Sequence, residues 1–203
     1  MEPKTKSRSI GLFREMVSGD MSSFAVQFGR LVWETMPSQF LGRTEFVHQA
    51  YVCAFFTAAS DASSSLERNK SAWEVRVEEC AGIGRLDLIL QRMGDDTGVL
   101  HEYKREPFTP QDRREGYSHS QCKRLTKKAE EALVQLETRQ YRASMRDHVT
   151  KLREYGLALL GPYCAIVAHS LERKQGGAWV ITDTYGAVKD EERRKLLYTS
   201  QTG

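Results

Sequence analysis

The sequence predicts an α/β protein whose central mixed β-sheet is built from a three-strand meander and a crossover strand and is flanked by helices. Three observations predict this class. The first part of the chain places apolar residues such as Phe24, Phe28 and Leu31 at helical spacing. The middle changes to short strands joined by short loops, which suits antiparallel neighbours. A helical segment then separates this meander from two further apolar strands, and a strand–helix–strand order implies a parallel crossover.

Each element has its own local signal. Two helices are expected before the first strand, Met21–Met36 with Pro37 just past its end and Thr44–Ala59 with Thr44 as N-cap. A third helix is expected from Leu125 to about Arg142, with apolar residues along one face. Strands are identified by alternation or by short apolar runs between turn signals. The predicted strands are Trp73–Glu78, Arg85–Leu90, Val99–Lys104, Pro162–His169 and Ala178–Asp183.

Length and composition exclude several classes. The 203 residues, 40% of them hydrophobic, suit one domain with its own core. We expect a helical segment over 1–43, the core over 44–185 and a charged tail over 186–203. No apolar run reaches the ~18 residues of a membrane span, and no secretory signal is visible, so an intracellular protein of the nucleus or cytoplasm is expected. The four cysteines form no CxxC pair, which argues against a zinc module.

Three charged residues on neighbouring strands form the candidate catalytic group. Asp87 lies between Leu86 and Leu88, where a charge facing a core needs a reason. Glu102 and Lys104 are two residues apart, so their side chains share one face of a strand. If the hairpin registers as expected, Asp87 meets Glu102 there. Two close carboxylates repel unless a cation lies between them, and Mg²⁺ prefers such oxygen ligands. The backbone carbonyl of Tyr103 could add a ligand.

Lys104 suggests the reaction. Its ammonium can neutralise a phosphate oxygen or orient an attacking water, so two acids, a lysine and a cation suit hydrolysis of a phosphodiester. The alternative is a salt-bridge ladder on an amphipathic strand pair. His101 points to the face opposite Glu102 and is expected to pack against a helix.

The run GIGRLDLIL followed by LHEYK resembles the core of the PD-(D/E)XK nuclease superfamily, with Leu86 where the superfamily has its proline. The helix TEFVHQAY before the strands and the later AEEALVQLETRQY extend the resemblance over roughly residues 19–171. This whole run is similar to the nuclease domain found behind AAA-ATPase-like domains and in Crinkler-type effectors. The resemblance implies a restriction-endonuclease-like fold and, as a partner, an AAA-ATPase-like domain or chain.

The resemblance also implies roles for single residues. Asp87 and Glu102 would bind Mg²⁺ or Mn²⁺, and Lys104 would assist the nucleophilic water. Glu45 matches a helix-borne acid that reaches the metal, although an acid at a helix start is also favoured by the helix dipole. Gln135 matches a helix residue that supports the active site, with a solvent-facing position as its alternative. Tyr141 is expected in the core, and Arg85 occupies a typical position without an assigned role.

Basic residues gather beside this group and predict a nucleic-acid partner. These residues do not distinguish DNA from RNA, and with the resemblance DNA is expected more than RNA. Phosphates would be neutralised by lysines and arginines, which makes binding sensitive to salt. Phe108 and Tyr117 could stack on bases. The candidate nucleic-acid-binding residues are Arg85, Arg105, Arg113, Arg114, Lys123, Arg124, Lys127 and Lys128.

Two functions are therefore weighed. The first is a metal-dependent nuclease, favoured because a pure binding module has no need of Asp87, Glu102 and Lys104 together. The second is an inactive relative that binds nucleic acid or serves in assembly. A purely structural domain is favoured only if the three side chains fail to converge.

Overall fold

Six strands form one mixed sheet in the computed structural model, which describes residues 3–35, 45–64, 71–81, 84–107, 109, 111, 118–161 and 163–186. The helices are α1 (Pro3–Ser18), α2 (Met21–Thr35), α3 (Glu45–Ser64) and α4 (His119–Thr138). The strands are β1 (Glu74–Ala81), β2 (Gly84–Gln91), β3 (Thr97–Arg105), β4 (Lys151–Leu160), β5 (Tyr163–Arg173) and β6 (Trp179–Tyr185).

The strands lie in the sheet in the order in which they occur along the chain. All neighbours are antiparallel except β3 and β4, which are parallel and are connected through α4. The predicted meander is therefore β1 to β3, and α4 is the predicted crossover helix. The expectation of a mixed α/β sheet flanked by helices is confirmed at this level.

Strand β4 was not predicted, and its presence changes the crossover. The strand parallel to β3 is Lys151–Leu160, whereas the strand predicted at Pro162–His169 corresponds to β5 and is antiparallel to β4. Leu152, Tyr155 and Leu159 follow a helical spacing, and the strand is buried on both faces through most of its length, so it shows no alternation.

The helices before the meander cover one face of the sheet. Helix α2 agrees with its prediction to within a residue, α3 extends to Ser64, and α1 was not predicted as a separate helix. Their apolar side chains form one core cluster with residues of β2 to β5. His101 belongs to this side, where its ring stacks on Tyr155 with the centroids 5.0 Å apart and lies 4.8 Å from Phe56. The expectation that His101 packs against a helix is confirmed.

Helix α4 covers the opposite face of the sheet. It begins earlier than predicted because Ser118 and Gln121 form a capping box, in which each side chain bonds the other residue's backbone amide. It ends at Thr138, and the left-handed backbone of Gln140 then turns the chain. A Cβ on Gly156 of β4 would lie 2.1 Å from the carbonyl oxygen of Ala129, so only glycine permits this close approach of α4.

Candidate functional site

The hairpin of β2 and β3 brings the two predicted carboxylates to neighbouring positions. The ladder between β2 and β3 reaches as far as Leu88 paired with His101, and Asp87 and Glu102 follow directly beyond it, where both line one small pocket together with Tyr103. The Asp87 carboxylate lies between the strands, where its Oδ2 accepts a hydrogen bond of 2.6 Å from the backbone N–H of Tyr103. The carboxylate thus acts as an acceptor for a strand amide.

Glu102 is the centre of the candidate site. The residue is only 2% exposed, and its Oε1 accepts hydrogen bonds from Lys104 Nζ at 3.2 Å and from Gln135 Nε2. A buried carboxylate is costly unless it is paired and hydrogen-bonded, and both conditions hold here. The expected shared face of Glu102 and Lys104 is confirmed, and Gln135 of α4 points to the site rather than to solvent.

Tyr141 also belongs to this cluster, although its position predicted a packing role rather than a place in the site. Its hydroxyl is hydrogen-bonded to the Gln135 side chain, and burial raises its pKa, with the charges of Glu102 and Asp87 adding to the effect. Its ring is fully buried against α4 and the sheet. The available signal was its position shortly after Gln135, where the helix ends and the chain turns back.

Gly156 determines how closely α4 approaches the site. It is the direct neighbour of Glu102 in the parallel ladder between β3 and β4. A side chain there would collide with the backbone of Ala129 and Leu133, at 2.1 and 2.8 Å, and would move α4 together with Gln135. The sequence analysis did not single out this residue because it did not recognise β4.

The predicted metal site depends on the carboxylates of Asp87 and Glu102, whose neighbours the structure describes. Asp87 and Glu102, with the carbonyl of Tyr103, offer only oxygen atoms, and this donor set fits Mg²⁺ or Mn²⁺. Among the side chains that the structure describes, no group of three or more His, Cys, Asp or Glu residues could hold a metal ion. Glu45 begins α3 as predicted, but its side chain lies outside the described part.

The predicted basic residues that the structure describes differ in whether an acid already pairs with them. Lys123 and Lys127 are exposed on α4, one turn apart, and Arg105 is half-buried at the end of β3. Arg124 instead bonds Glu106 at 2.8 Å, and Lys128 bonds Glu131 at 2.6 Å, so both charges are already paired. Arg113, Arg114, Phe108, Tyr117 and the side chain of Arg85 lie outside the described residues.

Comparisons with protein-family models, curated proteins and solved structures find no match for this chain. The resemblance to the PD-(D/E)XK superfamily therefore stays a prediction from the residues. None of the described helices combines the length and apolar character that crossing a membrane requires.

Proposed function

We propose that this protein is a metal-dependent nuclease with a restriction-endonuclease-like fold, hydrolysing phosphodiester bonds of nucleic acid, DNA rather than RNA. One observation carries the proposal: Glu102 is buried between Lys104 and Gln135, with the Asp87 carboxylate at the adjoining position of the next strand. A surface salt-bridge ladder, the alternative reading of these charges, has no need of a buried acid.

The metal has a defined set of candidate ligands. Asp87 and Glu102 would hold Mg²⁺ or Mn²⁺, with the Tyr103 carbonyl as a further oxygen ligand. Bound there, the ion would supply positive charge against a phosphate oxygen and favour ionisation of water. Glu45 at the start of α3 is the proposed further acid, since the same helix approaches β2, where Cys53 Sγ lies 4.0 Å from the carbonyl oxygen of Asp87.

The chain's own residues would perform the remaining tasks. The Lys104 side chain is 25% exposed, so its ammonium can reach a phosphate in solvent while Glu102 holds it in position. In an in-line displacement it would neutralise the charge that develops on a non-bridging oxygen. Gln135 and Tyr141 form a hydrogen-bonded pair that orients the Glu102 carboxylate. Arg105, Lys123 and Lys127 would attract the phosphate backbone.

The second candidate is an inactive module that binds nucleic acid or serves in assembly. The observation that favours it is that both carboxylates already accept hydrogen bonds from the protein itself, Asp87 from Tyr103 and Glu102 from Lys104 and Gln135. Cleavage assays on single-residue variants separate the two candidates.

The test replaces Lys104 by methionine, which keeps the length of the side chain and removes its charge. With Mg²⁺ or Mn²⁺ present, we expect cleavage of labelled DNA to fall roughly 100-fold or more, because one preorganised charge at a developing oxyanion contributes about that much. Asp87→Asn should have a similar effect. Lys151→Met is the matched control, because Lys151 is exposed at the opposite end of the neighbouring strand.

Cleavage at equal rates by wild type, Lys104→Met and Asp87→Asn would contradict the nuclease proposal. DNA binding that persists without any metal-dependent cleavage by the wild type would support the inactive module instead.

A further inference from the structure

Trp33, two residues before the end of α2, has an exposed side chain. Trp33 is 46% exposed, and its ring lies against Tyr163 of β5, with the centroids 5.3 Å apart and the planes inclined by 32°. Tyr163 in turn is half-buried against the core cluster beneath α4. The indole is thus held from one side by a fixed aromatic ring, and nearly half of its surface is open to solvent.

This aromatic pair lies at the same end of the sheet as the candidate active site. Helix α2 runs antiparallel to β5, because Met21 at its start contacts Ser170, whereas Trp33 near its end contacts Tyr163. Lys104 is beside Ala158 of β4, and Tyr163 is paired with Leu160 at the end of that strand. With strands ~4.8 Å apart and ~3.3 Å per residue, the backbones of Lys104 and Tyr163 are roughly 12 Å apart.

Tyr163 and Lys104 also belong to the same side of the sheet. Tyr163 packs against the cluster beneath α4, the helix whose Gln135 binds Glu102. Glu102 and Lys104 share a face of β3, and that face is therefore the one covered by α4. Trp33 itself comes from α2, which covers the opposite face, and meets Tyr163 at the end of β5. A strand with one phosphate at Lys104 would reach the indole by passing over this end of the sheet, within a few nucleotides, since a nucleic-acid strand advances ~3.4 Å per nucleotide in the duplex form.

The charges around Trp33 are compatible with a polyanion. Its neighbour Glu34 forms ion pairs with Arg8 and with Arg30, at 2.7 Å for the latter, and the hydrogen bonds from these two arginines lower its pKa. The cluster of Glu34, Arg8 and Arg30 therefore carries a net positive charge. Arg105 follows Lys104 at the end of β3, so it adds a positive charge at the same end of the sheet.

We propose that Trp33, supported by Tyr163, stacks on an unpaired base of the nucleic-acid strand whose phosphate lies at Lys104. The inference rests on the proposed function and extends it, because it names single-stranded or frayed nucleic acid as the preferred substrate class. Every base has a π-face, so such a contact tolerates any sequence. In an intact duplex the faces of the bases are covered by their neighbours, and Trp33 has no base face to reach.

The test measures affinity by fluorescence anisotropy, in EDTA to prevent metal-dependent cleavage. The labelled probes are a single-stranded oligonucleotide and a long duplex, in which all base faces except those of the two terminal pairs are covered. Trp33→Ala should bind single-stranded DNA about ten-fold more weakly, since stacking on one base has about this effect. Trp33→Phe should stay within about three-fold of the wild type, and duplex affinity should not change with either variant. An oligonucleotide with abasic sites throughout should bind wild type and Trp33→Ala equally, because it offers no base to stack on in any register.

Trp179→Ala is the matched control. Trp179 lies beside Arg173, ten residues from Tyr163 along β5 and so ~33 Å away. The Trp179→Ala variant should bind single-stranded DNA with the affinity of the wild type. The same measurements with single-stranded RNA show whether the unpaired base can come from RNA as well as from DNA.

Equal single-strand affinities of wild type and Trp33→Ala, with both proteins folded by circular dichroism, would overturn the stacking inference and leave the nuclease proposal standing. An equal loss of duplex and single-strand affinity would also overturn it. A wild type that binds neither form would overturn the proposed function together with this inference.

Discussion

Glu102 illustrates at the scale of a single residue how a charge can be kept inside a sheet. Removing a carboxylate from water costs several kcal/mol, and only good partners return that energy. The carboxylate of this 2% exposed residue has a cation from its own strand, Lys104, and an amide from the crossover helix, Gln135. The partners come from segments about 30 residues apart in the chain, so the arrangement depends on the complete fold of β3 and α4.

His101, the residue before Glu102, is buried without an ion pair among the described residues and in its neutral form. It packs among Phe24, Phe56 and Tyr155, with its Nε2 3.1 Å from Met16 Sδ. Burial lowers the pKa of His101 from 6.5 to about 3, so the imidazole stays neutral in the folded protein at neutral pH. Its face of β3 is therefore part of the core, whereas the face of Glu102 carries the candidate site.

His101→Phe should make the protein less sensitive to acid. Because the folded pKa of His101 lies below the unfolded value, its stability contribution is complete above pH 6.5 and is lost as the pH falls towards about 3. One proton per molecule changes the unfolding free energy by ~1.4 kcal/mol per pH unit. Because half of the unfolded molecules already carry this proton at pH 6.5, the slope starts at half its full value, and between pH 6.5 and pH 4.5 the wild type should lose about 2 kcal/mol more than the variant, measured by urea unfolding.

Phe56→Leu in the same cluster is the control for this measurement. It removes core volume without removing a titratable group, so its cost should be independent of pH. Curves of stability against pH that run parallel for wild type and His101→Phe would contradict a neutral, buried imidazole at position 101.

At the scale of elements, α4 approaches β4 closely at Gly156. Gly156 lies under the backbone of Ala129 and Leu133 and beside Glu102 in the sheet. The same close approach brings Gln135 of α4 into hydrogen-bonding reach of Glu102. The packing of one glycine is thus connected to the position of a candidate site residue on another element.

Gly156→Ala should destabilise the protein by about 3 kcal/mol, at the upper end of the usual cost of overpacking, because its Cβ would meet backbone atoms that cannot rotate away. The same change at Gly11 should have the opposite sign. Gly11 lies inside α1 with open space around its Cβ position, so alanine should add roughly 0.5–1 kcal/mol through helix propensity. Thermal or urea unfolding measures both.

A Gly156→Ala variant as stable as the wild type would show that α4 is free to move away from β4. Loss of stability in Gly11→Ala would contradict the open surroundings of that position.

The elements differ in how well sequence could predict them. Strands β1 to β3 alternate apolar and polar residues or carry clear turn signals, and α2 shows a clean helical period, so each was predicted close to its observed bounds. Strand β4 was missed because burial on both faces removes alternation, and its Leu, Arg and Glu residues favour a helix as readily as a strand. Tertiary burial overrides local propensity there.

At the scale of the whole molecule, charge is nearly balanced, and its distribution matters more than its sum. The formal net charge is +3. On α4, Lys123 and Lys127 form no ion pair with the part of the chain that the structure describes, whereas Lys128 on the same helix is paired with Glu131. An unpaired lysine can exchange its counterions for phosphates, and a paired one must first give up its partner.

The double variant Lys123→Ala/Lys127→Ala should lower affinity for single-stranded DNA and make it less dependent on salt. Each phosphate contact contributes about −0.7 to the slope of log K against log salt for a single strand, so the slope should become shallower by about 1.4. Lys128→Ala is the matched control. It should change the slope by less than the ~0.7 expected for one phosphate contact. Affinities at four or five salt concentrations give the slopes.

Unchanged slopes in the double variant would remove α4 from the proposed path of the nucleic acid. A change as large in Lys128→Ala would contradict the distinction between paired and unpaired lysines.

The sequence by itself determined the α/β class, the meander with its crossover helix, and the group Asp87, Glu102 and Lys104, because periodicity, turn residues and short-range spacing are local properties of the chain. Gln135 was expected only from the resemblance to a nuclease superfamily. Tertiary structure alone decided that β4 lies beside β3 and that Gly156 admits α4. It also decided that Tyr141 joins the site and that Trp33 meets Tyr163 at the end of the sheet. Each of these depends on contacts between segments distant in sequence, and packing energy between distant segments has no signature in a single local pattern.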